Sequence, residues 1–272
     1  MSGVLDQESW ITRANGDPPI EVEDALGRSI DNKFQMVLTN PPFGSKASYT
    51  IIADDGAGEP DEDLAYLRDD FWATTKNKQL NFVQHVHSIL DTNGTAAVVV
   101  PDNVLFEAGA GETIRRRLLK DCDVHTLLRL PTGIFYRPGV KANVLFFDRK
   151  PGSETPWTKT LWIYDLRTNQ HFTLKKRPLR PEHLTEFITC YNADNRLKRT
   201  ATERFKPFTY GELVAREKVS LDIIWLQDES LEDSENLPAP EVIDAEFVDE
   251  LEAALTEFRA VAEIFGNGEP GL

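Results

Sequence analysis

The chain has 272 residues, of which 40% are hydrophobic and 10% aromatic, which is enough to build a core of one or two domains. A formal net charge of −15 argues against a protein that grips DNA alone, because neutralising phosphates requires lysine and arginine. The chain has no uncharged apolar run of about 18 residues and no basic, then apolar, N-terminus, so neither a membrane span nor a signal peptide is expected. Two distant cysteines without His/Cys spacing, Cys122 and Cys190, argue against a zinc module and indicate a reducing cytoplasm.

Apolar periodicity predicts alternating strands and helices over the first 180 residues. The predicted strands are Phe34–Leu38, Thr95–Val100, Val124–Leu130, Ala142–Asp148 and Thr160–Asp165. The predicted helices are Asn81–Leu90 and Gly111–Asp121, and Asp91–Gly94 is predicted to be a turn. This alternation indicates an α/β fold, with a parallel or mixed sheet covered on both faces.

The pattern changes after about residue 180. Pro181–Tyr191 and Phe208–Arg216 are predicted helices, and the acidic stretch Gln227–Pro240 is typical of a linker. Glu241–Phe265 is predicted to be a long helix with one apolar stripe, which packs on its own domain or on a partner. We therefore expect three regions, at 1–180, 181–240 and 241–272.

The stretch FQMVLTNPPFGSK holds the main candidate site. The strand Phe34–Leu38 leads into Asn40-Pro41-Pro42-Phe43, at the strand end where open α/β sheets bind ligands. Proline fixes the backbone and removes a donor, so this loop is stiff and its carbonyls remain free to accept hydrogen bonds.

Two acceptors and one aromatic ring suit the exocyclic amine of a flat base. The amine of adenine is a poor nucleophile because its lone pair is delocalised into the ring. Hydrogen bonds from both N–H groups, to the side-chain oxygen of Asn40 and the carbonyl of Pro41, would draw the nitrogen towards a tetrahedral, reactive form. Phe43 would stack on the base once it has left the duplex. A general base or metal is not required before the methyl transfer.

These residues resemble the Asn-Pro-Pro-Phe signature of N6-adenine DNA methyltransferases. Five segments also resemble, in order and spacing, the modification subunit of type I restriction-modification systems: FQMVLTNPPFGSK, NFVQHVHSIL, GTAAVVVPDNVLF, LLRLPTGIFYRPGVKANVLFFDR and RFKPFTYGELVAREKVSLDIIWL. The resemblance covers roughly residues 20 to 265. It implies the second half of a Rossmann-like S-adenosylmethionine-dependent methyltransferase sheet, followed by a helical C-terminal region. It also implies site-specific methylation of adenine in DNA, with a specificity subunit and a restriction subunit as partners.

The resemblance assigns further site residues. Phe135 corresponds to an aromatic residue beside the flipped base, with a core phenylalanine as the alternative. Asn103 and Lys141 lie in segments that line the family's pocket, and Asn103 has a helix cap or Asx-turn as an equal alternative. Asp24 corresponds to the acid that reaches the adenine of S-adenosylmethionine, with an acidic turn residue as an equal alternative.

Other features have ordinary structural explanations. The second paired proline, in Asp17–Ile20, follows no apolar strand and precedes no aromatic residue, so it is predicted to be a turn. The basic helix Arg115–Lys120 is predicted to be a solvated face, with a phosphate contact as the alternative. His85 and His87 are two apart on a helix and cannot face one ligand together, so no metal site is expected.

We expect the sequence to lack most of the cofactor site of such an enzyme. Only 39 residues precede Asn40, whereas three strands with their helices need about a hundred. No G-x-G loop follows a strand in that stretch. We therefore expect a truncated or split chain that needs a separate N-terminal methyltransferase fragment. The alternatives are an inactive remnant and an interaction module that docks a specificity subunit through Glu241–Phe265.

Overall fold

The sheet is the framework of the chain, whose computed structural model describes residues 24–43, 66–136 and 139–227. Within these ranges six strands form one sheet: β1 (Phe34–Thr39), β2 (Leu90–Pro101), β3 (Cys122–Arg129), β4 (Ala142–Arg149), β5 (Thr160–Asp165) and β6 (Phe205–Thr209). The strand order is β1-β2-β4-β3-β5-β6. The pairs β1–β2 and β3–β5 are parallel, and the other three pairs are antiparallel. The predicted mixed α/β sheet is confirmed.

Helices cover both faces of this sheet. In the described ranges they are α1 (Lys78–Ile89), α2 (Asp102–Phe106), α3 (Ala110–Asp121), α4 (Thr185–Tyr191) and α5 (Tyr210–Ala215). Successive side chains of a strand point to opposite faces, and β4 shows this clearly. Leu145 and Phe147 pack in the first core with α1, α2, α3 and α5. Val144 and Phe146 pack against the second core, which includes Phe187 of α4.

The last strand was not expected from the sequence. The prediction of a helix over Phe208–Arg216 is wrong in its first two residues, because Phe208 and Thr209 belong to β6. Proline disfavours a strand assignment, but Pro207 is tolerated here because β6 has only β5 as a neighbour in the described sheet. Helix α5 begins instead at a capping box, in which Thr209 and Glu212 exchange side-chain-to-backbone hydrogen bonds.

The predicted turn at Asp91–Gly94 is part of β2. Phe34 pairs with Leu90, and Met36, only two residues later, pairs with Thr95. The surplus residues of β2 bulge out of register, and Asn93 takes the left-handed conformation with φ 67°. The residues that the sequence predicts to form a turn thus form a bulge within a longer strand.

The prediction for Pro181–Tyr191 is confirmed as one helical segment, although it opens with a 3-10 turn, Pro181–Leu184, before α4. Internal contacts divide the chain into two compact units, 1–226 and 227–272. The acidic linker, the helix Glu241–Phe265 and the paired proline at Asp17–Ile20 lie outside the described residues, so the expected boundaries at 180 and 240 stay predictions. Among the described helices, none combines the length and apolarity needed to cross a membrane.

Arg115 corrects the interpretation of the basic helix as a solvated face. Its side chain is 2% exposed and donates to the backbone carbonyls of Val104, Glu107, Lys218 and Val219, at 2.6 to 3.0 Å. Lys218 and Val219 have positive φ values of 55° and 49°, which are costly for residues with a side chain. The guanidinium therefore ties α2 to this strained segment instead of contacting phosphate.

Replacing Arg115 by methionine should lower the free energy of unfolding by about 2–4 kcal/mol, because buried carbonyls lose their donor. Urea denaturation at pH 7 measures this. The matched control is Arg116→Met on the same helix, which breaks only an exposed pair with Glu112 and should cost less than about 0.5 kcal/mol. Equal costs for the two variants would contradict the structural role of Arg115.

Candidate functional site

The strand ends that carry the candidate residues meet at one edge of the sheet. Because β1 and β2 are parallel, the carboxyl ends of both strands lie there. Pro101, the last residue of β2, pairs with Ala142, the first residue of β4. The backbone N–H of Asp102 donates to the carbonyl of Lys141 at 3.1 Å. Asn40, the loop after β2 and the segment before β4 therefore share this edge.

A cavity of about 500 Å³ opens beside this edge. Its lining residues are Phe43, Gln79, Pro101, Phe135, Gly139, Val140 and Lys141. The rings of Phe43 and Phe135 touch edge to face, with their centroids 5.3 Å apart. Pro41 is buried, whereas Asn40 and Pro42 are exposed. The structure thus brings together Phe43, Phe135 and Lys141, which are separated by about ninety residues of sequence.

Asn103 does not line this cavity but contacts a residue that does. Its side-chain N–H donates to the side-chain oxygen of Gln79 at 2.8 Å, and it lies within α2 instead of capping it. Gln79 is in turn fixed at the start of α1, where Asn77 accepts its backbone N–H at 2.9 Å. With its oxygen engaged by Asn103, the amide nitrogen of Gln79 is the group left to face a ligand. Sequence reasoning missed Gln79, and the asparagine cap two residues earlier was the one available signal.

Arg167 connects the chain segments at the edge of the sheet that carries the candidate site. Its guanidinium forms a bidentate pair with Asp102, at 2.7 and 2.9 Å, and also donates to the carbonyls of Leu130 and Ala142. The side chain of Asn143 donates to the same carboxylate at 2.8 Å. Burial alone would raise the pKa of Asp102, but Arg167 and Asn143 outweigh it and hold that pKa below its usual value. Asp102 is therefore a carboxylate at neutral pH.

Gly133 positions the loop that carries Phe135. Its φ is 78°, and a β-carbon there would lie 1.8 Å from the carbonyl oxygen of Phe172. Both the conformation and the close approach require glycine. The Pro-Thr-Gly sequence after β3 thus has a packing reason as well as a place beside the cavity.

Asp24 forms a turn just before β1. Its side chain accepts the backbone N–H of Leu26 at 3.1 Å, and its carbonyl accepts that of Gly27 at 3.0 Å. This geometry is that of the acidic turn residue, and the assignment to S-adenosylmethionine stays a prediction. The described ranges contain one G-x-G sequence, Gly109-Ala110-Gly111, and it follows helix α2 instead of a strand.

His85 of α1 is buried and contacts an arginine side chain. Burial, and secondarily the nearby Arg68, lowers the pKa of His85 to about 4, so it is neutral at pH 7. A guanidinium nitrogen of Arg68 lies 3.0 Å from the Nδ1 atom of His85. Across the part of the chain that the structure describes, no group of three or more His, Cys, Asp and Glu side chains is placed to hold a metal ion.

Comparison with known proteins supplies the family context. Residues 13–227 match the model of a family described as N-6 DNA Methylase. The type I restriction enzyme StySJI methylase subunit of Salmonella typhimurium is 38% identical over 92% of this chain and 51% of its own length. The EcoKI methylase subunit of Escherichia coli has the same identity and shares. The crystal structure of the EcoKI M protein has a TM-score of 0.67, with 35% identity over 95% of this chain and 56% of that one.

These matches confirm the resemblance to type I modification subunits and the Rossmann-like methyltransferase fold class. The chain spans about half the length of the curated relatives that it matches. The matches do not test the roles of individual site residues, which stay predictions.

Arg167→Met should lower the free energy of unfolding at pH 7 by about 2–4 kcal/mol, because it leaves the carboxylate of Asp102 without its partner. The pKa of Asp102 is depressed in the folded state, so its contribution is present above its unfolded value of about 4 and is lost as the pH falls below it. Denaturation at several pH values should therefore show that the difference in free energy of unfolding between wild type and variant decreases from pH 7 towards pH 3. Arg117→Met, in a more exposed pair with Asp121, is the control. A gap that widens in acid would contradict this assignment.

Proposed function

The chain belongs to the N-6 DNA methylase family, and from this membership we propose that it presents the target adenine in a type I DNA-modification methyltransferase. The supporting observation is the cavity where Phe43, Phe135 and Lys141 meet, at the sheet edge where Asn40 leaves β1. Its volume of about 500 Å³ is ample for one purine that has left the duplex.

The loop after β1 supplies the acceptors for the amine. Asn40 is exposed, and among the described residues its side chain has no hydrogen-bonding partner that would compete with a base. Pro41 is buried and has no N–H, so its position is fixed and its carbonyl is an acceptor. Together they accept the two N–H groups of adenine and bring its nitrogen into a reactive geometry. The rings of Phe43 and Phe135, which meet edge to face, pack against the base.

Two further side chains reach the same cavity from other elements. Lys141 precedes β4 and brings a positive charge, which suits a backbone phosphate or a ring nitrogen of the base. Gln79 offers a side-chain N–H that suits a ring nitrogen, since its oxygen is engaged by Asn103. Adenine has ring nitrogens that accept hydrogen bonds beside its amine. A donor in this place therefore favours adenine over a base whose corresponding ring nitrogen carries a hydrogen.

The methyl donor requires residues beyond those described. S-adenosylmethionine supplies the methyl group in the family that the sequence resembles, and we infer that other residues complete its site. We therefore propose that this chain works with a polypeptide that carries the cofactor-binding half. With a net charge of −15, it also relies on a specificity subunit to grip and recognise DNA, with a restriction subunit as a further partner.

The role of Asn40 can be tested in a single chain that joins this sequence to the part of the StySJI methylase subunit that it does not match, combined with a specificity subunit. Asn40→Ala should reduce methyl transfer to DNA adenine by about 100-fold or more, because an acceptor at the reacting centre is lost. Asn40→Asp keeps an acceptor oxygen and should retain more activity. Both melting temperatures should match wild type, because Asn40 is exposed. Undiminished methylation by Asn40→Ala would remove this residue from its role.

A further inference from the structure

The segment that follows β5 concentrates positive charge. Residues 166–181 include five lysine and arginine side chains and no acidic one, in a chain whose net charge is −15. The five are Arg167, Lys175, Lys176, Arg177 and Arg180. A basic run of this kind is often only a solvated surface. This one differs because it has a fixed shape and lies beside the candidate site.

Two points of this segment contact the loop that follows β3. The guanidinium of Arg167 donates to the carbonyl of Leu130 at 2.9 Å. Five residues later, the carbonyl oxygen of Phe172 lies so close to Gly133 that a β-carbon there would be 1.8 Å from it. Phe135, two residues after Gly133, lines the cavity. The basic segment therefore runs directly beside the loop that carries one wall of the candidate site.

The lysines of this segment lie on a turn of fixed shape. The hydroxyl oxygen of Thr173 accepts the backbone N–H groups of Lys176 and Arg177, at 3.1 and 2.9 Å. The backbone N–H of Thr173 donates to the carbonyl of Arg177 at 3.0 Å. These hydrogen bonds close residues 173–177 into a turn, the basic turn, with Lys175 and Lys176 at its tip. All five residues of the basic turn are exposed.

Phe172 anchors the basic turn to the rest of the fold. Its side chain is buried, and its ring meets the ring of His183 edge to face, with the centroids 4.9 Å apart. The guanidinium of Arg177 lies over the same ring, 5.3 Å from its centroid. A guanidinium held in this way keeps N–H donors at its edge for an anion. Because the turn is already ordered, binding a ligand there costs little further conformational entropy.

Two cations of the basic turn have no acidic partner in the part of the chain that the structure describes. The side chains of Lys176 and Arg177 form no ion pair there. The nearest preceding acid, Asp165, accepts the backbone N–H of Arg167 at 2.8 Å. Asp102, at the edge of the sheet that carries the site, is paired with Arg167. The charge of Lys176 and Arg177 is therefore available to an anion from solution.

We propose that the basic turn binds the phosphate backbone of the DNA strand that carries the target adenine, next to the nucleotide that enters the cavity. This inference rests on the proposed function and adds a contact outside the base site. A base that leaves the duplex stays joined to its strand, so the flanking phosphates pass close to the cavity that receives it. Lysine and arginine on an exposed turn suit phosphates, and such contacts carry no sequence preference. The basic turn thus positions the strand whatever its sequence.

Binding of a fluorescein-labelled single strand of about twelve nucleotides to the chain tests the basic turn. Fluorescence anisotropy between about 50 and 200 mM salt should show weak binding that strengthens as salt falls. The double variant Lys176→Gln, Arg177→Gln should bind about fivefold or more weakly at the lowest salt concentration. Its slope of log affinity against log salt should be smaller by about 1.4, since each phosphate contact on a single strand contributes about 0.7. Equal affinity and slope for this variant and wild type would overturn the proposal, as would no binding by wild type.

The matched control is the double variant Lys159→Gln, Lys198→Gln, which removes the same charge at the opposite edge of the sheet. Lys159 precedes β5, whereas the basic turn follows it, and Lys159 is exposed. Lys198 is also exposed, and its neighbour Arg196 pairs at 2.6 Å with Asp148, near the end of β4 that is far from the cavity. This control should bind the strand as wild type does. An equal loss in both double variants would show a response to net charge alone and would overturn the proposal.

Loss of the fold is excluded by melting and by a milder variant. The melting temperature of the double variant should match wild type, since both side chains are exposed. Lys176→Gln alone keeps the contact of Arg177 with the ring of Phe172 and should reduce the salt slope by about 0.7. An unchanged slope in this single variant would overturn the assignment of Lys176 to a phosphate.

An abasic version of the same strand separates the basic turn from the base site. A phosphate contact does not depend on the base, so the double variant should lose the same factor with the abasic strand as with a strand that contains adenine. The proposed function predicts in addition that wild type prefers the strand with adenine. Equal binding of both strands, with a loss in the double variant, would contradict the proposed function and support the basic turn. A loss confined to the strand with adenine would overturn the phosphate contact.

Discussion

The candidate site depends on one partly buried ion pair, between Arg167 and Asp102. Asp102 follows β2, and Arg167 follows β5, so the pair ties together strands that are not adjacent in the sheet. The same guanidinium holds the carbonyls of Leu130, after β3, and Ala142, at the start of β4. A planar, permanently charged group with five donors is suited to fix several chain segments at once. The segments that carry Lys141 and Phe135 are therefore positioned by contacts outside the cavity.

The described residues cover the two faces of the sheet to different degrees. The face that packs α1, α2, α3 and α5 has a continuous core. The strand that leads to Asn40 is the least covered of the six in the described ranges, with large apolar side chains in water. Burial of such side chains is the main stabilising contribution in folding and association. The strand that leads to the candidate site is thus also the described strand with the most exposed apolar side chains.

Sequence patterns identified the elements with strong periodicity and missed features that depend on tertiary contacts. The strand Thr160–Asp165 was predicted with its observed bounds, because branched and aromatic residues fill it. Strand β6 was missed because Pro207 argues against a strand unless its neighbours are known. Arg115 was expected at a solvated face, since no local pattern shows that carbonyls 104 and 219 will surround it.

The site residues stay predictions, and the sequence points to some of them more directly than to others. The loop after β1 is predicted from the sequence because its chemistry is local, with acceptors and a ring in four consecutive residues. Phe135 and Lys141 came from family resemblance, and the structure places both at the cavity. Gln79 was not found, because it reaches the cavity only through the packing of α1 beside the loop after β2.

We propose that this chain presents the target base and that it binds S-adenosylmethionine only together with a second polypeptide. Titration calorimetry with S-adenosylmethionine tests it directly, first on the isolated chain and then on its complex with the unmatched part of the StySJI methylase subunit. The account predicts no measurable binding by the isolated chain and binding by the complex. Micromolar binding by the isolated chain would contradict it.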